Sequence, residues 1–261
     1  MRLMRILLTN DDGVHAPGML ALKRSLEGLG ELFVVAPERP RSAAGHAVTL
    51  HKPLRLAETT LADGSRAWCS SGTPSDCVSL GFEVVMDGRA DLLVSGINDG
   101  ANLGWDLTYS GTVMAAMEGA ILGLTAIAVS VSGPAPRRYD GAGPVAARVV
   151  RAVMRRGLPA NVLLNVNVPS LDPSQLGEIV ITRQGRREYI DRIVRRHDPA
   201  GREYYWLSGS VEDGVQPIDT DVGAVEAGMI SVTPLQLDMT AHPVREDLAA
   251  WPDWMRKGEE P

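Results

Sequence analysis

The sequence predicts an α/β protein, a doubly wound and mostly parallel sheet with a protruding β-hairpin arm towards its C-terminal end. Three observations predict it. Short, wholly apolar runs recur along the first two-thirds of the chain, as buried parallel strands require. Segments with helix caps alternate with them, and the chain opens strand–helix–strand, the pattern of open α/β sheets. Near residue 184 the composition turns polar, arginine-rich and then aromatic.

Each element has its own warrant. The run MRILLT at 4–9 reads as the first strand, and a helix is expected from about Pro17 to Leu29. Pro17 suits a first helical position and Gly30 a stop. ELFVVAP at 31–37 is a second strand. The stretch 46–68 alternates like a strand (AVTLHKPLRL), with a hairpin around Asp63-Gly64. Thr73, Pro74 and Asp76 form a T-P-x-D helix start, with Thr73 and Asp76 in a capping box. DLLVSG at 91–96 is another strand, followed by a loop rich in Gly and Asn. Ser110 caps a helix of small residues, GTVMAAMEGAILG. Next come a strand at 126–132, a helix at 140–156 and the strand NVLLNVNV. Residues 184–208 then read as a long hairpin turning at Asp198–Gly201, and MISVTPL as a final strand. The last dozen residues are charged and expected to be loose. Three parts follow: a core over 1–183, an arm over 184–220, and 221–261 as a strand and tail that completes the core or is exchanged with a partner.

Composition bounds the function. A chain of 261 residues, 44% hydrophobic and 22% charged, can bury a core without disulfides or a structural metal. A net charge of −6 argues against a nucleic-acid polymer as partner, while a small phosphorylated substrate is allowed. Cys69 and Cys77 are not in a CxxC pair, which disfavours a thiolate zinc site and suits reduced thiols. The N-terminal apolar run is short and meets two aspartates at once, so it does not read as a signal peptide. No stretch is long enough to span a membrane, and a cytoplasmic address is expected.

Candidate chemistry gathers after the strands. Ligands in open α/β sheets bind beyond the carboxyl ends of the strands. Asn10-Asp11-Asp12-Gly13, the Ser42 loop, the Ser71–Pro74 turn and the loop Asn98–Thr112 all follow strands. Asp11 and Asp12 are adjacent carboxylates that repel unless a cation or proton intervenes. Gly13 lets the backbone turn so that both approach one ion, and hard oxygens favour Mg²⁺, Mn²⁺ or Ca²⁺ over zinc. N-D-D-G also reads as a plain turn. Ser42 and Asn98 add neutral oxygens, though both are ordinary loop residues. The helix start Ser110-Gly111-Thr112 offers an anion site through free N–H groups, and Asn102 lies in the loop before it. His15 and His46 lie near these loops, as solvated residues or as acid–base groups. P-loop, GxGxxG, HExxH and GxSxG motifs are absent from the sequence.

The ordered set NDDGVHAPG, PERPRSAAG, SGTPSDCV, DLLVSGINDGANLGWDLTYSGTVMAAMEG, YYWL and SVTPLQLDMT resembles the SurE family over about residues 4–242. These are stationary-phase survival proteins that act as 5′/3′-nucleotidases. The resemblance implies a metal-dependent phosphomonoesterase on a Rossmann-like domain, assembled as dimers or tetramers partly through exchanged C-terminal elements. It implies one divalent ion per subunit held by Asp11, Asp12, Ser42 and Asn98. It turns Asn102, Ser110, Gly111 and Thr112 towards the phosphate of a nucleoside monophosphate, with Asp11, Asp12 and Asn102 in the catalytic set. Some members also degrade short polyphosphate. Met114 is bulkier than the small residue expected there. Two other readings stand beside it: a phosphoaspartyl phosphatase, whose carboxylates are spaced D-x-D, and a nucleotide-binding protein without turnover.

Overall fold

The computed structural model describes residues 3–190, 193–207, 210–211, 214–249 and 251. Of the last dozen residues, expected to be loose, all but 251 lie outside them. Strand β1 (Arg5–Thr9) leads to helix α1 (Pro17–Leu26), strand β2 (Glu31–Pro37) and the hairpin β3 (Leu56–Thr60) and β4 (Arg66–Ser70). Helix α2 (Pro74–Leu80) precedes β5 (Leu92–Asn98), and a 3-10 turn over Gly104–Tyr109 precedes α3 (Gly111–Ile121). Then follow β6 (Thr125–Ser132), α4 (Ala142–Arg156), β7 (Val162–Pro169) and the short β8 (Ile179–Ile181). The arm holds β9 (Tyr189–Ile190), β10 (Ile193–His197), β11 (Glu203–Leu207) and β12 (Ser210–Val211). The chain continues through α5 (Asp221–Glu226), β13 (Ile230–Gln236) and α6 (His242–Ala249).

A nine-stranded sheet orders these as β3-β4-β2-β1-β5-β6-β7-β13-β8. From β4 to β7 neighbouring strands run parallel. β3 is antiparallel to β4, and β13 is antiparallel to β7 but parallel to β8. The mostly parallel, doubly wound sheet is therefore as the sequence predicts.

The apolar runs become strands because both faces are covered. Successive side chains alternate between faces. Ile6 and Leu8 of β1 join Val94 and Val129 under Met19, Leu22 and Val150 of α1 and α4. Leu7 joins Leu93 and Ala126 under Val78, Val113 and Ala116 of α2 and α3. The small residues of α3 let it approach closely: a Cβ on Gly119 would stand 2.3 Å from Leu93 Cδ2. Met114 is buried in this layer, so the bulk that stood out in the sequence is accommodated.

The caps form as read. Thr73 and Asp76 make the reciprocal capping box, and Ser110 Oγ accepts from Val113 N. α1 ends sooner than expected, at Leu26, with Gly28 at φ +79°. Gly30 instead lies against β1, where a Cβ would meet Met4 O at 2.4 Å. Residues 46–55 form no strand despite their alternation. Their backbone bonds instead to side chains at the start of α2: Thr49 N donates to Asp76 Oδ1, and Ala47 O accepts from Thr73 Oγ1. β8 has no counterpart in the sequence reading. Both cysteines are free thiols. Among the described residues no helix is long and apolar enough to cross a membrane.

Candidate active site

β1 and β5 are parallel neighbours at the centre of the sheet. From β1 the chain winds outward to β2, and from β5 it winds the other way to β6. The crevice at such a reversal is where open α/β sheets bind ligands. Here Asp11, Asp12, Ser42, Asn98, Asn102 and Ser110 line one cleft of about 250 Å³, together with Asp99, Asp106 and Tyr109. The segments singled out after β1, β2 and β5 thus meet at one point. Gly111 and Thr112 stand behind that lining.

The loop after β1 is built to present its carboxylates. Asn10 Oδ1 accepts from Gly13 N and its Nδ2 donates to Gly13 O, closing the turn. Gly13 takes φ +102°, a conformation that favours glycine. Arg41 N donates to Asp11 O at 2.7 Å, which ties the Ser42 loop to the carboxylate loop.

Asp11 is 5% exposed. Burial pushes its carboxyl from the usual 3.8 up to about 6; the Thr112 hydroxyl pulls it back, and the charge of Asp12 raises it further. Thr112 Oγ1 donates to Asp11 Oδ1 at 2.5 Å. A Cβ on Gly111 would fall 2.9 Å from Asp11 Oδ2, so only glycine allows this approach. The start of α3 therefore faces the Asp11 carboxylate. This alters the part expected of Thr112: it is fully buried and its hydroxyl is engaged by Asp11, so that group does not face the cleft. Gly111 likewise serves the approach of Asp11.

Asp12 is half-buried, and burial also raises its pKa. The N–H of Asp99 counters this by donating to Asp12 Oδ2 at 2.9 Å. Arg137 Nη1 donates to both the carbonyl and the carboxylate of Asp99, and its Nε to Gly133 O, so the donor is held in turn. Asn98 Nδ2 donates to Gly100 O, which leaves its carbonyl oxygen as the group available to a cation.

Asn102 rests on residues the sequence reading passed over. Its backbone N–H donates to Asn167 Oδ1, and its carbonyl accepts from Asn165 and Asn167. Its side-chain nitrogen donates to Ser130 Oγ at 2.7 Å. Asn165 and Asn167 are fully buried in β7. Two asparagines spaced by two in an apolar strand share one face. That spacing was the available signal. Nothing in the sequence singled out Arg137.

The histidines lie elsewhere. His46 Nε2 is 2.9 Å from Glu118 Oε2 on α3, and His15 is exposed; neither lines the cleft. Among the described residues no three His, Cys, Asp or Glu side chains form a group able to hold a metal ion. Of the other carboxylates in the cleft, Asp99 is paired with Arg137 and Asp106 accepts from Tyr189, so the donor set left for a cation is Asp11 and Asp12 with the neutral oxygens of Ser42 and Asn98. Its chemistry fits a hard divalent ion, whose charge offsets two carboxylates that burial disfavours.

The survival protein SurE family model matches residues 6–191. The chain belongs to the SurE family. A relative named 5′-nucleotidase SurE from Moorella thermoacetica is 49% identical over 98% of this chain and 99% of its own. One of the same name from Herpetosiphon aurantiacus is 52% identical over 91% of this chain and 94% of its own. The crystal structure of the SurE protein from Aquifex aeolicus superposes with a TM-score of 0.85 at 39% identity, covering 97% of this chain and all of that one. In this SurE chain the family's model therefore spans β1 to the root of the arm, and with it every residue of the cleft described above.

Proposed function

We propose that this chain is a divalent-metal-dependent 5′-nucleotidase that hydrolyses nucleoside monophosphates by direct attack of water. Short polyphosphate is a secondary substrate on this reading, and the address is cytoplasmic. One observation carries it: Asp11, Asp12, Ser42 and Asn98 converge with Asn102 and Ser110 in one cleft. The 5′-nucleotidase relatives support the same reading.

Asp11, Asp12, Ser42 and Asn98 would hold the ion, either Mg²⁺ or Mn²⁺. When bound, such an ion lowers the pKa of a coordinated water and polarises a phosphoryl oxygen. The protein does the rest. Thr112 and the start of α3 offset part of the cost of keeping a charge on the buried Asp11. The Asp99 N–H fixes Asp12, which orients the attacking water. Asn102, immobilised by β6 and β7, offers its amide to the phosphate oxygens where charge develops. A phosphoaspartyl route fits less well, because Asp11 is buried beneath a hydroxyl donor rather than exposed as a nucleophile.

The test is phosphate release from a panel of nucleotides, with EDTA and then with added ions. Activity should vanish in EDTA and return with Mg²⁺ or Mn²⁺. Full turnover in metal-free buffer would overturn the metal role. Nucleotide binding without phosphate release would favour a sensor.

The arm supports a homo-oligomer, dimer or tetramer. Tyr204 pairs with Arg196 and Trp206 with Val194 across β10 and β11, yet Tyr204, Tyr205 and Trp206 are exposed. Exposed aromatics on a hairpin suit an interface. Tyr204→Ser with Trp206→Ser should give smaller assemblies by light scattering; an unchanged mass would count against it.

A further inference from the structure

Beside the catalytic cleft lies a second one, of about 330 Å³, between the Gly104–Tyr109 turn and the root of the arm. The two clefts share Asp106 and Tyr109 as lining, so they adjoin. The second part is aromatic. Trp105 and Tyr109 come from the turn and Tyr189 from the arm. Trp105 is 52% exposed and Tyr109 61%, so these rings contribute surface rather than core.

The walls are fixed in place. Asp221, fully buried at the start of α5, accepts from Gly104 N at 2.9 Å and from Gly185 N at 2.7 Å. One carboxylate thereby fastens the turn to the arm root. Gln184 Nε2 donates to Gly104 O as a second fastening. Gly104 permits the contact, since a Cβ there would meet Arg187 Cγ at 3.1 Å. Above the turn, the Arg186 guanidinium lies 5.0 Å from the Trp105 ring centroid, and Tyr189 donates its hydroxyl to Asp106. A flat cation on an aromatic ring holds that ring in position.

We propose that this second cleft seats the nucleobase, which stacks on Trp105 and Tyr109 while its phosphate occupies the cleft of Asp11 and Asn98. The proposal rests on the nucleotidase reading and deepens it. A base has a π-face that a sugar phosphate lacks, and stacking tolerates every base. The arm root then contributes to substrate recognition as well as to assembly.

The experiment compares kcat/KM for AMP, UMP and ribose 5-phosphate in the wild type, Trp105→Ala, Tyr109→Ala and Trp105→Phe, each with Mg²⁺ or Mn²⁺. Both rings are more than half exposed, so their truncation takes little from the core; circular dichroism checks the fold. The wild type should favour both nucleotides over ribose 5-phosphate. Trp105→Ala should reduce that preference about tenfold, mainly through KM, and Trp105→Phe should restore most of it. The proposal is overturned if both alanine variants keep the wild-type preference. It also falls if the wild type hydrolyses ribose 5-phosphate as well as AMP, a result that leaves phosphatase activity standing. Release of phosphate from none of the three would instead overturn the nucleotidase reading, and this proposal with it.

Discussion

Replacing Asp11 with asparagine should stabilise the metal-free protein above pH 6. The side chain is nearly inaccessible, and its burial lifts the carboxyl from 3.8 to about 6. A folded-state pKa above the unfolded value means that the folded chain binds the proton more tightly. Stability from this group is therefore greatest below pH 3.8 and is lost as pH rises through 6. A shift of about two units corresponds to about 3 kcal/mol at pH 8. The substituted amide keeps the shape and an acceptor for Thr112 but carries no charge. In EDTA at pH 8, Asp11→Asn should raise the melting temperature by roughly 6–12 °C, using about 2–4 °C per kcal/mol for a large domain. The gap should close towards pH 4. Added Mn²⁺ should stabilise the wild type much more than the variant. A variant less stable than wild type at pH 8 in EDTA, or a gap that ignores pH, would refute the reasoning.

Three further outcomes follow from the same site. Thr112→Val removes a hydrogen bond to a charged acceptor, worth about 1.5–3 kcal/mol, so the Asp11 pKa should rise by about one to two units. Calorimetric Mn²⁺ binding should then weaken about two- to tenfold at pH 7 and recover by pH 9; a loss equal at both pH values would count against it. Asp12→Ala should lower kcat by on the order of a thousandfold or more. Ser42→Ala should lose less, because water can replace an exposed hydroxyl; steady-state phosphate release on folded variants would reverse this ranking if it is wrong. Hydrolysis of a substrate with a chiral, isotopically labelled phosphate should invert phosphorus, whereas retention, or a phosphoaspartate trapped at Asp11, would indicate a covalent route.

Much of the fold was legible because local and tertiary preferences agree. Leu7 and its neighbours are apolar on both faces, and Thr73, Asp76 and Ser110 cap helices in the way their side chains dictate. Residues 46–55 misled because alternation signals a strand only where a partner edge exists. Their hydrogen bonds go to Asp76, Thr73 and Ser71, and Leu50 ends up 89% exposed. At the site, the carboxylates stood out by adjacency. The supports did not: Asn165, Asn167 and Arg137 act across 38 to 65 positions of sequence, a separation that only the folded chain reveals. Thr112 was legible as a cap neighbour but not as the donor to Asp11, since helix starts bind anions of either origin.

The order of the last strands has a consequence for synthesis. In the main sheet β8 pairs with β13 alone, although about fifty residues separate them, including the whole arm. As the chain leaves the ribosome, β8 emerges with no edge to join, because β7 is reserved for β13 on that side. Contacts so distant in sequence form late, after the cost of closing the intervening loop is met. Until β13 arrives, Val162–Pro169 is an open edge, the kind of surface to which foreign strands add. Before residue 230 is made, β1 and β5 have both of their sheet neighbours available while β7 has one margin without a neighbour. Pausing or truncation before residue 230 would cost the protein two strands at once, and would leave β7, whose asparagines hold Asn102, without its outer neighbour.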